Sequence, residues 1–187
     1  MISQYDRGMK NLIIGLDVST SVTGVCILDG ESILYLDRIQ FKTSQSFWQK
    51  TDDIRSGLSR LKGEHDESSW RLVLEEPLLG FQKGMSSATT ITTLMRFNGI
   101  VSYIGRDVFG VDPEYLGSAH ARKLCGIKMQ RTAVAGMNGK EQVFKYMSEN
   151  DLKGIDWPKK KNGAPVDWSR DATDAYVIAR AAFLSGR

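Results

Sequence analysis

Two aspartates three residues apart are the clearest candidates for chemistry in this chain. They lie in Asp171-Ala172-Thr173-Asp174-Ala175-Tyr176-Val177-Ile178-Ala179-Arg180, which is alanine-rich and free of Gly and Pro. Such a stretch favours a helix, expected from about Arg170 to Leu184. Residues three apart share a helix face, so Asp171 and Asp174 point the same way. Two carboxylates held side by side repel unless a proton or cation lies between them. The pair is half of a site for a hard divalent ion such as Mg²⁺, which prefers oxygen ligands. The competing reading is structural: Asp171 as an N-cap with Asp174 as its capping partner, both suited to a helix N-terminus.

Other carboxylates sit at strand ends. Asn11-Leu12-Ile13-Ile14-Gly15-Leu16-Asp17-Val18 is an apolar run typical of a buried strand, with Asp17 its one charge. Strand propensity disfavours aspartate there, and burying an unpaired charge is costly. The plain alternative is an aspartate that bonds the amides of the Ser19–Ser21 turn. Arg71-Leu72-Val73-Leu74-Glu75-Glu76-Pro77 repeats the pattern, apolar and ending in acid, with Pro77 as its stop. Successive strand residues face opposite ways, so only one of Glu75 and Glu76 can serve a shared site.

The remaining elements must bring these acids together. After Asn11–Val18 come strands over Thr23–Leu28 and Ser32–Phe41, joined by the hairpin signal Asp29-Gly30. An amphipathic helix follows over Phe47–Leu61, with Ile54, Leu58 and Leu61 on one face. A second helix is expected over Ser86–Ile104, and a short fifth strand near Val108–Val111. Short helices over Ser118–Leu124 and Gly139–Asn150 precede the aspartate helix. Three antiparallel strands, then strands alternating with helices, make an α/β architecture: a mixed five-stranded sheet with helices on its faces.

Length and composition set bounds. A chain of 187 residues with 41% apolar and 25% charged residues suits one domain with a substantial core. Residues 1–10 read as a loose polar leader and 11–187 as a single domain. No apolar run approaches a membrane span. Two cysteines, Cys26 and Cys125, are too few for a disulfide scaffold or a cysteine-ligated zinc site, so a reducing, cytoplasmic setting is expected. Between Ser118 and Arg170 there are eleven Lys or Arg against five Asp or Glu, although the whole chain carries only +3. Basic charge therefore gathers in the half that leads into Asp171. A positive flank beside a carboxylate cluster is the layout of a metal-dependent nuclease, since cations attract phosphates and carboxylates hold the metals.

Three segments carry a family resemblance. Gly15-Leu16-Asp17-Val18-Ser19-Thr20-Ser21-Val22-Thr23-Gly24, Leu74-Glu75-Glu76 and Asp171-Ala172-Thr173-Asp174-Ala175 resemble the three acidic motifs of RuvC-like Holliday junction resolvases, of the ribonuclease H-like superfamily. Gly139-Lys140-Glu141-Gln142-Val143 resembles the family's basic helix start, and Arg122-Lys123-Leu124-Cys125-Gly126 its preceding basic segment. The resemblance implies that Asp17, Glu75, Asp171 and Asp174 bind two Mg²⁺ ions, with Mn²⁺ as the alternative ion. It implies that Lys140 sits beside the scissile phosphate, with Arg122 and Lys123 as further phosphate contacts. It also implies a homodimer that cuts opposed strands of a four-way DNA junction. Phe81 and Lys83, in the loop after Glu75, are expected to contact DNA.

The chain departs from the family pattern in several places. Val18-Ser19 replaces the usual Pro-Gly after the first aspartate. Ile127–Asn138 is longer than its family equivalent, and Gly154–Trp168, with Lys159-Lys160-Lys161, has no alignable counterpart. Leu78 stands where the family often has an aromatic residue. Rival readings are a nuclease of the same fold acting on other branched DNA or structured RNA, a non-catalytic junction-binding protein, and a sugar-kinase or actin-like phosphate-binding domain.

Overall fold

The computed structural model describes residues 10–65, 68–77 and 88–186. Strands β1 (Asn11–Asp17), β2 (Val22–Asp29) and β3 (Ser32–Gln40) form an antiparallel meander. Helix α1 (Phe47–Gly63) follows and leads to β4 (Ser69–Glu75), which pairs with β1 in parallel. Helix α2 (Ala88–Phe109) then leads to β5 (Glu114–Leu116), parallel to β4. The sheet order is β3-β2-β1-β4-β5. The chain closes with α3 (Ser118–Leu124), the single turn α4 (Thr132–Ala135), α5 (Gly139–Glu149) and α6 (Trp168–Ser185).

Strand parity sorts the core into two layers. On β1, Leu12, Ile14 and Leu16 join Leu72 and Leu74 of β4 and Val25 and Ile27 of β2 against α1 and α2. The opposite parity, Ile13, Cys26, Leu28 and Val73, lies under α6, α3 and α5. Two buried layers on one five-stranded sheet explain why β1 and β4 read as continuous apolar runs rather than alternating ones.

Three local expectations are corrected. Val108 and Phe109 are the last turn of α2, not a strand. The Phe109 ring packs 4.6 Å from Trp70, and Gly110, at φ 72°, ends the helix with its N–H on the Arg106 carbonyl. The fifth strand comes later, at Glu114–Leu116. Secondly, α6 begins at Trp168 with Asp167 at its N-cap position, so Asp171 is inside the helix and not its cap. Thirdly, Ser19 and not Asp17 closes the turn after β1: its hydroxyl accepts the Val22 amide and donates to the Val22 carbonyl, while Asp17 accepts from Lys140.

Candidate active site

Asp17 and Glu75 reach one face through the same parity rule. Gly15 of β1 lies directly under α6, so Asp17, two residues on, faces the same side. On β4, Val73 belongs to the α6 layer, and Glu75 follows it by two. The parallel register pairs Leu16 with Leu74, so the two acids step off neighbouring strand ends together. The two carboxyls are close enough for each to act on the other's ionisation. Glu76 takes the other parity and is exposed; its N–H donates to the Leu116 carbonyl.

Helix α6 delivers the other two acids, and it lies unusually close to the sheet. A Cβ on Gly15 would come 2.5 Å from the Ala175 carbonyl oxygen and 2.7 Å from the Ala179 nitrogen. A Cβ on Gly24 would overlap the Asp171 carbonyl outright. Two glycines below and a row of small residues above (Ala172, Ala175, Ala179) therefore let backbone rest on backbone. Gly24 sits under Asp171 itself, so strand β2 sets the height of the acidic turn.

Lys140 meets these acids from α5. Asn138 and Glu141 form a reciprocal capping box: each side chain accepts the other's backbone N–H, at 3.0 Å. That box fixes Lys140 as the second residue of the helix. Its Nζ lies 2.9 Å from Asp17 Oδ2, 2.6 Å from Asp171 Oδ1 and 3.3 Å from Asp174 Oδ2. Three carboxylates from two remote segments thus share one ammonium.

The electrostatics follow from burial. Asp17 and Asp174 are 7% and 6% exposed. Desolvation raises the Asp17 pKa, with the Asp171 charge adding to it and Lys140 opposing. Desolvation and the Asp17 charge push Asp174 up to about 7, against the pull of Lys140 and Arg122. Glu75 is raised by burial and by Asp17, and Arg122, Lys140 and the Ser118 hydroxyl oppose that rise. Burial lowers the Lys140 pKa, but Asp17, Asp174 and Asp171 outweigh it and raise it overall.

One ammonium facing four acids leaves negative charge in excess. Among the described residues, no group of three or more acidic, histidine or cysteine side chains is arranged to hold a metal ion; the Lys140 ammonium lies between three of the carboxylates. The donor set still fits a hard divalent ion. It is all carboxylate oxygen, Asp17 and Asp174 are buried, and desolvation with mutual repulsion raises Asp17, Glu75 and Asp174, which added positive charge would relieve.

The other expected site residues divide. Arg122, on the last turn of α3, is close enough to act on both Glu75 and Asp174. Lys123 is exposed beside it. Phe81 and Lys83 lie outside the described residues. Three supporting residues escaped the sequence reading. Ser118 lies near the Glu75 carboxylate and opposes the rise of its pKa. Asn98, buried in α2, donates to the Glu75 carbonyl at 3.3 Å. Gly24 carried a motif match, but its contact with α6 needs the fold.

The order of strands and the place of the closing helix define a ribonuclease H-like fold of the RuvC kind. Among solved structures, the chain is similar to Thermus thermophilus RuvC in complex with a Holliday junction substrate. The identity is 13%, the TM-score 0.64, and 96% of each chain is covered. Thermus thermophilus RuvC in a second structure gives 15% identity and a TM-score of 0.57, over 94% of this chain and 95% of that one. No protein-family model matches the sequence, and no curated protein matches it.

Proposed function

We propose that this protein is a metal-dependent endonuclease that cleaves branched DNA, with the four-way junction as its preferred substrate. The observation that carries this reading is the meeting of Asp17, Glu75, Asp171 and Asp174 around Lys140 at one end of a ribonuclease H-like sheet. The fold neighbour bound to a Holliday junction adds support for the substrate class.

In this reading the four carboxylates hold divalent ions, Mg²⁺ first and Mn²⁺ as the alternative. Such ions supply the positive charge that activates a water and stabilises the leaving oxygen. The chain's own groups do the rest. Glu75 and Asp17, anchored on rigid strand ends, fix one side of the site, and Asp171 and Asp174 fix the other. Lys140 turns its ammonium to the phosphate, where it offsets charge gathering on the non-bridging oxygens. Arg122, beside Glu75 and Asp174, draws the strand towards the acids.

A symmetric junction presents two equivalent strands, so paired cuts call for a homodimer; light scattering of the purified protein should give twice the chain mass. The decisive experiment mixes purified protein with labelled mobile and immobile four-way junctions, with and without Mg²⁺. Symmetrical paired nicks that require the ion are expected. An intact junction under saturating Mg²⁺ and Mn²⁺ would overturn the reading. Flap, fork, RNA–DNA hybrid and duplex substrates in the same panel separate junction selectivity from general branched-DNA or RNA cleavage.

A further inference from the structure

Beside the acidic cluster lies a concavity whose apolar floor and outer cation, Lys128, the chemistry above does not use. It has a volume of about 540 Å³, within the roughly 300–1,000 Å³ range of small-ligand sites. Its walls divide by chemistry. Arg122, Lys123 and Lys128 supply cations, and Ala119, Ile127 and Met129 supply an apolar surface; among the described residues no acidic side chain lines it. Arg122 belongs both to this groove and to the surroundings of Glu75 and Asp174, so the groove and the acids share a wall.

The outer side of the groove begins the segment 127–138, which is longer than its family equivalent, and hydrogen bonds tie it to the fold. Ile127 is buried and donates its N–H to the Arg122 carbonyl at 2.9 Å. Gln142 of α5 clamps the segment from below. It accepts the Gln130 N–H at 2.8 Å and donates to the Gln130 and Met137 carbonyls at 3.0 and 3.2 Å. Gln142 lies two residues beyond Lys140, so one helix carries both the lysine and this wall. Met129 stays 38% exposed although it lines the concavity.

Cations around an apolar floor match one chemistry well. A nucleotide carries an anionic phosphate at one end and a flat apolar ring face at the other. A nucleotide stacked in a duplex offers no free ring face, whereas an unstacked one does. Resting on the nuclease reading above, we propose that this groove is a nucleotide subsite for an unstacked base next to the cut. Lys128 and Lys123 grip the flanking phosphate, and the Met129 thioether and Ile127 take the ring face. The site thus selects DNA whose strands part beside the scissile bond, as they do at a branch.

The test measures binding in EDTA, where cleavage cannot contribute, by fluorescence anisotropy of labelled oligonucleotides. Lys128 and Met129 are exposed, so their replacement leaves the fold intact. With a four-way junction, Lys128→Ala should lower the slope of log affinity against log salt by about 1. Met129→Ala should weaken junction binding about 2- to 10-fold and leave binding to fully paired duplex unchanged. A junction with an abasic nucleotide beside the branch should bind wild type and Met129→Ala equally. Wild-type affinity and salt slope in both variants would overturn the subsite, even if wild type nicks junctions with Mg²⁺. Losses equal on junction and duplex would overturn it too, because they would mark a general phosphate surface. Loss of junction binding in the variants of a protein that never nicks would keep the subsite and remove the nuclease reading.

Discussion

The two faces of the sheet are packed by opposite rules. Under α1 and α2, the core is made of large side chains: Leu, Ile and the rings of Phe41, Phe47 and Phe97, which meet edge to face at 5.5 and 5.7 Å. Under α6, the central contact is made of almost nothing: Gly15 and Gly24 against Ala172, Ala175 and Ala179. Interiors are close-packed everywhere, but the first face reaches density with side chains and the second with backbone. Side chains can relax around a change; a helix lying on a strand cannot. The face that must hold Asp171 and Asp174 against Asp17 is therefore the stiff one, and the other supplies cohesion. The first face suffers when atoms are removed and the second when they are added.

The sharpest separation should come from Asp174→Asn, which changes charge and no volume. Single-turnover cleavage should fall by roughly 10²–10³-fold while junction binding persists and the melting temperature does not drop, since the amide relieves crowded carboxylates. Wild-type cutting rates under saturating Mg²⁺ would remove Asp174 from the site. Next is Lys140→Ala, expected to slow cleavage by about 10²-fold, more than it weakens binding. It should also lower the melting temperature of the metal-free protein, because Asp17, Asp171 and Asp174 lose their shared cation, and Mg²⁺ should recover that loss. An unchanged metal-free melting curve would show that the ammonium is not holding the acids.

Gly24→Ala tests the backbone contact itself. One added methyl under Asp171 should displace the acidic turn and cost about 10²-fold in rate, with an overpacking penalty of about 1–3 kcal/mol. Rates near wild type would mean that α6 floats more freely than its contact with β2 implies. Phe97→Ala is the counterpart on the other face. It should cost about 3–5 kcal/mol of stability yet leave the single-turnover rate of the folded protein unchanged. A rate loss as large as that of Gly24→Ala would erase the contrast between the faces.

Much of this was legible in the amino-acid order. The meander, the acid-tipped strands and the aspartate helix all follow from local patterns, because apolar runs with one terminal charge are rare. Alternation also foretold that Glu75 and Glu76 would part company. What escaped was non-local. Val108 and Phe109 look like strand residues, but their partners are Trp70 and the inner stripe of α2, which only the folded chain supplies. Strand β5 has three residues and two exposed side chains, so its signal is the free edge of β4 rather than its own composition. Asn98 sits inside an apolar stripe, and nothing nearby in the sequence reveals that its partner is a carbonyl 23 residues earlier. Lys140 entered through family resemblance; its three carboxylate contacts are 31 to 123 residues away in the chain.

The reciprocal cap at Asn138 and Glu141 has a bearing on how such a protein can be re-engineered. Because the first turn of α5 is fastened to itself, the ammonium two steps along inherits its position from that knot and not from the length of chain before it. Residues ahead of the knot are thus open to grafting. Chimaeras that exchange them should keep their chemistry while changing which DNA shapes they accept, and a graft that silences cutting on every substrate would show that the knot alone does not hold the lysine.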